Sequence, residues 1–176
     1  MQKTIIHTNL DDLPFIYSLF DDAIIYQRRN GYPDWKDYSK DVLEDDILKQ
    51  KQFKIIINEE IACIFTCCLE DKIVWRERDQ SDAIYLHRIV SNKDHKGQKL
   101  FQDVLSFTIS KCKELNRQFI RLDTWANNDS IINYYASFGF DIVKYSINPD
   151  IPELPIQMRG NRVALMEYKL EDSDKK

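Results

Sequence analysis

Glycine is scarce in this chain, with four residues in 176, and no two of them fall into a GxGxxG or GxxxxGK pattern. That excludes the two phosphate-binding loops built on clustered glycines, the Rossmann dinucleotide site and the P-loop. Cysteine is equally sparse, at Cys63, Cys67, Cys68 and Cys112. Their spacing matches no zinc site and no histidine lies near the first three, so they read as buried thiols in a reducing compartment. No apolar stretch approaches the ~20 residues needed to cross a bilayer. The opening "MQKTIIHTNLDD" has too short an apolar run for a secretory signal. No lipidation motif is present, and the expected compartment is the cytoplasm. Excess positive charge is also missing: the net charge is −4 and the pI about 5.4, which argues against a broad nucleic-acid footprint.

What is present fits a soluble α/β protein, with 43% hydrophobic and 31% charged residues. The length suits one domain, expected over residues 1–170, with 171–176 as a frayed tail. The pattern predicts a strand at "KTIIHT", an amphipathic helix at "DDLPFIYSLFDDAIIYQRRNG" capped by Asp11 or Asp12, and a short helix at "DVLEDDILKQ". A hairpin follows at "FKIIINEEIACIFTCCLE", then a charged connection, "DKIVWRERDQSD". Strands at "AIYLHRIVS", "QFIRLDTWA", "FDIVKYS" and "RVALMEYKL" alternate with helices over 97–115 and "NNDSIINYYASFG". That order predicts helices packed around a mixed sheet.

The turn "NKDHKGQKLF" is the first candidate site. Helix N-termini present unpaired N–H groups and a positive dipole end. Gly97 lets backbone approach a ligand, and Lys93, Lys96 and Lys99 add charge suited to a pyrophosphate. By itself such a turn reads first as an ordinary strand-to-helix connection.

Read together, "YLHRIVSNKDHKGQKLFQDVLSFTISKCKELN" and "FIRLDTWANNDSIINYYASFGFDIV" resemble the GCN5-related N-acetyltransferase (GNAT) family over nearly the whole chain. The most specific part is the spacing Asn128, six residues, Tyr135, three residues, Gly139-Phe140. The turn is less faithful: Lys96 stands at the basic position, Lys99 where a glycine is expected, and Phe101 where Gly or Ala is expected. The resemblance implies a mixed, mostly antiparallel sheet flanked by helices, with splayed central strands, and acetyl-CoA as co-substrate. It implies that Ile89, Val90 and Ser91 bond the pantetheine arm and that Lys96, Gly97, Gln98, Lys99, Leu100 and Phe101 hold the pyrophosphate. Asn128 would touch the coenzyme, and Tyr135 would protonate the departing thiolate.

Acetyl transfer also needs a neutral amine, and an alkyl ammonium with a pKa of ~10.4 must lose its proton to a base. His87 lies on the strand at "AIYLHRIVS" and has a suitable chemistry. Glu77 and Asp79 are candidates for lining an acceptor pocket, Tyr26, Trp35 and Trp75 for its aromatic walls, and Glu44, Asp45 and Asp46 for attracting a cationic amine. Asp123 reads as a structural partner of Arg121 or Arg88. The expected function is N-acetyl transfer from acetyl-CoA to a primary amine of a small molecule or peptide. The alternative is a catalytically reduced GNAT-shaped acyl-CoA-binding sensor or partner subunit. No metal is expected, neither membrane nor nucleic acid is an expected partner, and a homodimer is compatible with the pattern.

Overall fold

The computed structural model describes residues 3–35 and 37–171, so the tail expected at 171–176 lies outside the described residues except for Glu171. The described strands are β1 (Lys3–His7), β2 (Gln52–Ile57), β3 (Glu60–Cys68), β4 (Ala83–Ser91), β5 (Phe119–Trp125), β6 (Asp141–Ile147) and β7 (Arg162–Lys169). They form one sheet in the order β1-β2-β3-β4-β5-β7-β6. Every neighbouring pair is antiparallel except β4–β5, which is parallel.

Helices α1 (Leu13–Arg29) and α2 (Lys40–Leu48) cover one face, and α4 (Leu100–Glu114) and α5 (Asp129–Ala136) the other. The one-turn helix α3 (Lys72–Trp75) lies between β3 and β4 in the chain. Strand alternation sets the partition. Ile64 and Val90 pack with Ile16, Leu19, Phe20 and Leu43 of α1 and α2, whereas Cys63 and Phe65 join Val104, Leu105 and Cys112 of α4. Each large apolar side chain so buried contributes ~1.5–3 kcal/mol before entropy is counted. Burial pushes the Cys63 and Cys112 thiols up to about 12, so both are protonated at neutral pH and act as core side chains.

Three local expectations change. Asp12 does stand at the N-cap position of α1 but makes no side-chain cap bond to it; Asn9 caps the 3-10 turn Leu10–Asp12 that leads in, accepting from the Asp11 N–H while Asp12 accepts from the Asn9 N–H. The helix after the "NKDHKGQK" turn begins at Leu100 rather than at 97, because Gly97 (φ +86°) and Lys99 (φ +54°) are both left-handed. The charged connection folds into α3, capped by the Asp71 side chain, which accepts from the Val74 N–H. It buries Val74 and Trp75 against Tyr85, Leu154, Val163 and Leu165. Trp75 is therefore core and no acceptor wall.

Candidate active site

β4 and β5 pair only from Ala83↔Phe119 through Tyr85↔Arg121. The pairing stops where Arg121 is fixed by Glu167, Asp82 and the Tyr85 hydroxyl, to all of which its guanidinium donates. Beyond that point the strands diverge, and β5 continues its own pairing with β7 out to Trp125↔Val163.

A bulge turns β4 away. Thr66 faces His87 and Ile64 faces Val90, so three steps on β4 oppose two on β3. Arg88 sits in the bulge at φ +50°, a left-handed conformation that costs an L residue ~1–2 kcal/mol. The surroundings hold it there. Its Nε and Nη2 both lie 2.6 Å from Oδ2 of Asp46, and Thr66 Oγ1 donates to the same oxygen at 3.1 Å. Asp46, a candidate for attracting a cationic amine, is instead a buried clamp on the bulge.

The gap between β4 and β5 opens into a cavity of ≈770 Å³, a size suited to a small-molecule ligand. Ile89, Val90 and Ser91 line it from β4, and Lys96, Phe101, Asn128 and Tyr135 from the opposite helical layer. Gly97, Gln98, Lys99 and Leu100 continue the turn outside the cavity wall. The amides of Gly97, Lys99, Leu100 and Phe101 have no hydrogen-bond partner among the described residues. Lys96 and Lys99 likewise carry no ion pair there, whereas Lys93 is paired with Asp22 at 2.9 Å.

Phe101 explains one departure from the family pattern. Its ring is buried against Tyr135 (5.0 Å), Phe138 (4.9 Å) and Tyr134 (5.9 Å), so only its backbone faces the turn. Asn128 Oδ1 accepts from the Ile131 N–H and starts α5, which leaves its amide nitrogen as a donor. The hydroxyl of Tyr135 has no hydrogen-bond partner among the described residues. Burial pushes the pKa of its phenol up from the ordinary value, with Tyr134 adding to the effect, so the group holds its proton at neutral pH.

His87 also lines the cavity, between two carboxylates. Its Nε2 is 3.3 Å from Asp71 Oδ2 and its Nδ1 3.9 Å from Asp123 Oδ1, and all three side chains are about 10% exposed. Asp123 pairs with neither Arg121 nor Arg88, which are taken by Glu167 and Asp82 and by Asp46. Burial, chiefly, pushes Asp123 up to about 6, Asp71 adds to the rise, and His87 opposes it. Because its folded value lies above the unfolded one, the native state holds the extra proton and loses stability as pH rises from ~4 to about 6. Asp123→Asn should therefore stabilise the protein by ~2–3 kcal/mol at pH 8, with the difference vanishing below pH ~4. Urea unfolding of both proteins at the two pH values checks this.

Glu77 and Asp79 lie elsewhere: Glu77 is exposed and paired with Lys144 at 3.4 Å, and Asp79 accepts from the Asp71 N–H at 2.7 Å. Tyr26 and Trp35 do line the cavity, together with Asn148, Gln157, Met158 and Asn161 around the proline-rich segment. Asp71 had no signal in the sequence beyond its capping position, since fifteen residues, including α3 and the first half of β4, separate it from His87.

No protein-family profile matches the sequence. An uncharacterised N-acetyltransferase of Bacillus subtilis, YesJ, is 27% identical over 73 residues, covering 42% of this chain and 41% of that protein. A GNAT-family acetyltransferase of Listeria monocytogenes superimposes with a TM-score of 0.76 at 19% identity, over 96% of this chain and 95% of that one. YncA of Salmonella typhimurium, described as an acetyltransferase and solved with its cofactor acetyl-CoA, gives 0.66 at 14% identity over 98% and 96%. A chimera of Vibrio cholerae SpeG spermidine N-acetyltransferase and hSSAT gives 0.65 at 17% identity over 96% of both chains. The chain has the fold of the GNAT acetyltransferases.

Proposed function

We propose that the protein belongs functionally with these acetyltransferases and moves the acetyl group of acetyl-CoA directly to a primary amine. The observation that carries this reading is the parting of β4 from β5 after Tyr85, with a bulge at Arg88 and free amides at the α4 turn. A pantetheine arm is a strand-like chain with its own amides, and the unpaired edge of Ile89, Val90 and Ser91 offers it a ladder. The turn amides and Lys96 and Lys99 meet the pyrophosphate, by hydrogen bond and by charge.

In the transfer, the amine nitrogen forms a bond to the thioester carbonyl carbon, whose π pair moves onto oxygen. Backbone N–H at the bulge stabilises that oxyanion. Collapse breaks the C–S bond, sulfur leaves with the electron pair, and Tyr135 supplies its proton. The phenol recovers a proton from the nitrogen that became the amide. The raised pKa of Tyr135 does not preclude donation, because burial raises the pKa of a thiol as well, as it does for Cys63. His87 is the base that frees the amine.

Two measurements test the reading. Calorimetry with acetyl-CoA should show binding, and thiol release over a panel of primary amines should show turnover. Binding without turnover on any amine would favour the sensor alternative, and absence of binding would remove both. The turn has its own test: Lys96→Glu/Lys99→Glu should raise the KM for acetyl-CoA by about 10-fold or more and leave the melting temperature unchanged. An unaltered KM would place the pyrophosphate away from α4.

A further inference from the structure

Asp123 stands out within the cavity wall as a carboxylate about 10% exposed that lines the gap and takes a hydrogen bond from its own backbone N–H but from no other side chain among the described residues. One amide leaves most of a carboxylate's lone pairs unused, and burying it so is costly, so on a ligand-sized cavity it can accept from a further donor. Beside it lies the bare side of an imidazole. Asp71 Oδ1 is occupied by the Val74 N–H, and Oδ2 has the His87 Nε2 at 3.3 Å as its neighbour. That oxygen has no hydrogen-bond partner among the described residues, so its charge, nearer to Nε2 than Asp123 is to Nδ1, favours the Nε2–H tautomer and leaves Nδ1 facing Asp123 as an acceptor.

We propose that His87 Nδ1 and the Asp123 carboxylate, 3.9 Å apart, form the seat of the acceptor's ammonium group and that Nδ1 takes its proton, with Asp71 as the positioning residue that selects the tautomer. The proposal rests on the reading of the cavity as an acetyl-transfer site. One ammonium nitrogen reaches both acceptors at ordinary hydrogen-bond distances of ~2.7–3.0 Å. The ligand class is a primary alkylammonium. Its N–H bond breaks, the electron pair stays on nitrogen for attack, and the proton passes to Nδ1. Asp71 and Asp123 on either side stabilise the imidazolium, which later releases the proton to water.

The charged and titratable groups around His87 are few. Asp71 comes from the start of α3 and Asp123 from β5. Arg88 acts on Asp123 from β4 but is bonded to Asp46, Tyr135 of α5 couples to Asp123, and Cys68 of β3 couples to Asp71. One ring nitrogen of His87 and one oxygen from each carboxylate lie within 4.8 Å of one another, a spacing that could also hold a metal ion, and Zn²⁺ binding is therefore one arm of the test.

The test uses the full chain with its histidines labelled with ¹⁵N; there are only three, so His87 is assigned by comparison with His87→Gln. Nitrogen shifts should show the Nε2–H tautomer in the neutral ring and a mixture in Asp71→Asn, which retains the oxygen that caps α3. Ethylammonium chloride should shift the His87 signals in the wild type and not in Asp123→Asn. With ethylamine as acceptor, Asp123→Asn should raise its KM about 10-fold or more and keep the acetyl-CoA Kd within about twofold. Asp71→Asn should alter the pH profile of kcat/KM, which a merely structural role for Asp71 would leave in place. An Nδ1–H tautomer, or an ethylammonium response that survives Asp123→Asn, overturns the proposal even if acetyl-CoA binds. So does tight Zn²⁺ binding that disappears in both Asp variants. Failure of acetyl-CoA to bind sinks the transfer reading instead, and the ethylammonium response still decides the seat.

Discussion

Tyr135→Phe is expected to lower kcat by about 10²–10³-fold while acetyl-CoA binds within about threefold of its wild-type affinity, the loss typical of removing a general acid. The split follows from where the side chain sits. Its ring packs edge-to-face on Phe101 at 5.0 Å and lies 6.1 Å from Phe140, and phenylalanine keeps both contacts. Its hydroxyl bonds to nothing in the protein among the described residues, so removing it leaves no orphaned partner and should cost little stability. What is lost is a proton held on the cavity wall. Steady-state kinetics on an accepted amine, with calorimetry alongside, measures both halves. An unchanged kcat would take Tyr135 out of the chemistry and return it to the aromatic core.

The second large effect is on Asp46. Asp46→Ala leaves the Arg88 guanidinium, only 10% exposed, without a counter-charge, and breaking a buried pair this way costs ~3–5 kcal/mol. It also releases the one side chain that, among the described residues, bonds the Arg88 side chain of the bulge at φ +50°. Activity should fall with stability, because the bulge amides lose their fixed direction. Adding Arg88→Gly should restore most of the stability: glycine takes the left-handed conformation freely, and no charge is left buried. Activity should return only in part, since a glycine bulge is not clamped. Denaturant unfolding of the two single variants and the double variant gives the coupling energy. Additive effects would mean that Asp46 and the bulge are independent.

Much of this site was legible before any coordinates. "AIYLHRIVS" is a strand by composition, and Asn128, Tyr135, Gly139 and Phe140 stand on one short helix and its closure. Gly139 is required there, with φ +91° and Tyr168 within 3.3 Å of where a Cβ would be. The residues that could not be read are those whose partners are remote. Asp46 meets Arg88 across 42 positions, and Asp71 and Asp123 meet His87 only because β4 and β5 part. Charge alone therefore suggested attraction of a cationic amine for Asp46 and a structural pair for Asp123. Lys99 is the opposite case. The pattern marked it as standing in a glycine's place, and the left-handed backbone there, φ +54°, gives the physical reason that a glycine would suit it.

The account depends most on a ligand lying along the unpaired edge of β4 with its phosphates on the α4 turn. An amide ¹H–¹⁵N titration with coenzyme A tests that directly. The account predicts the largest shifts at Ile89, Val90 and Ser91 and at Gly97, Lys99, Leu100 and Phe101. Saturation with those seven amides unmoved, or with the shifts gathered on another face of the sheet, would contradict it.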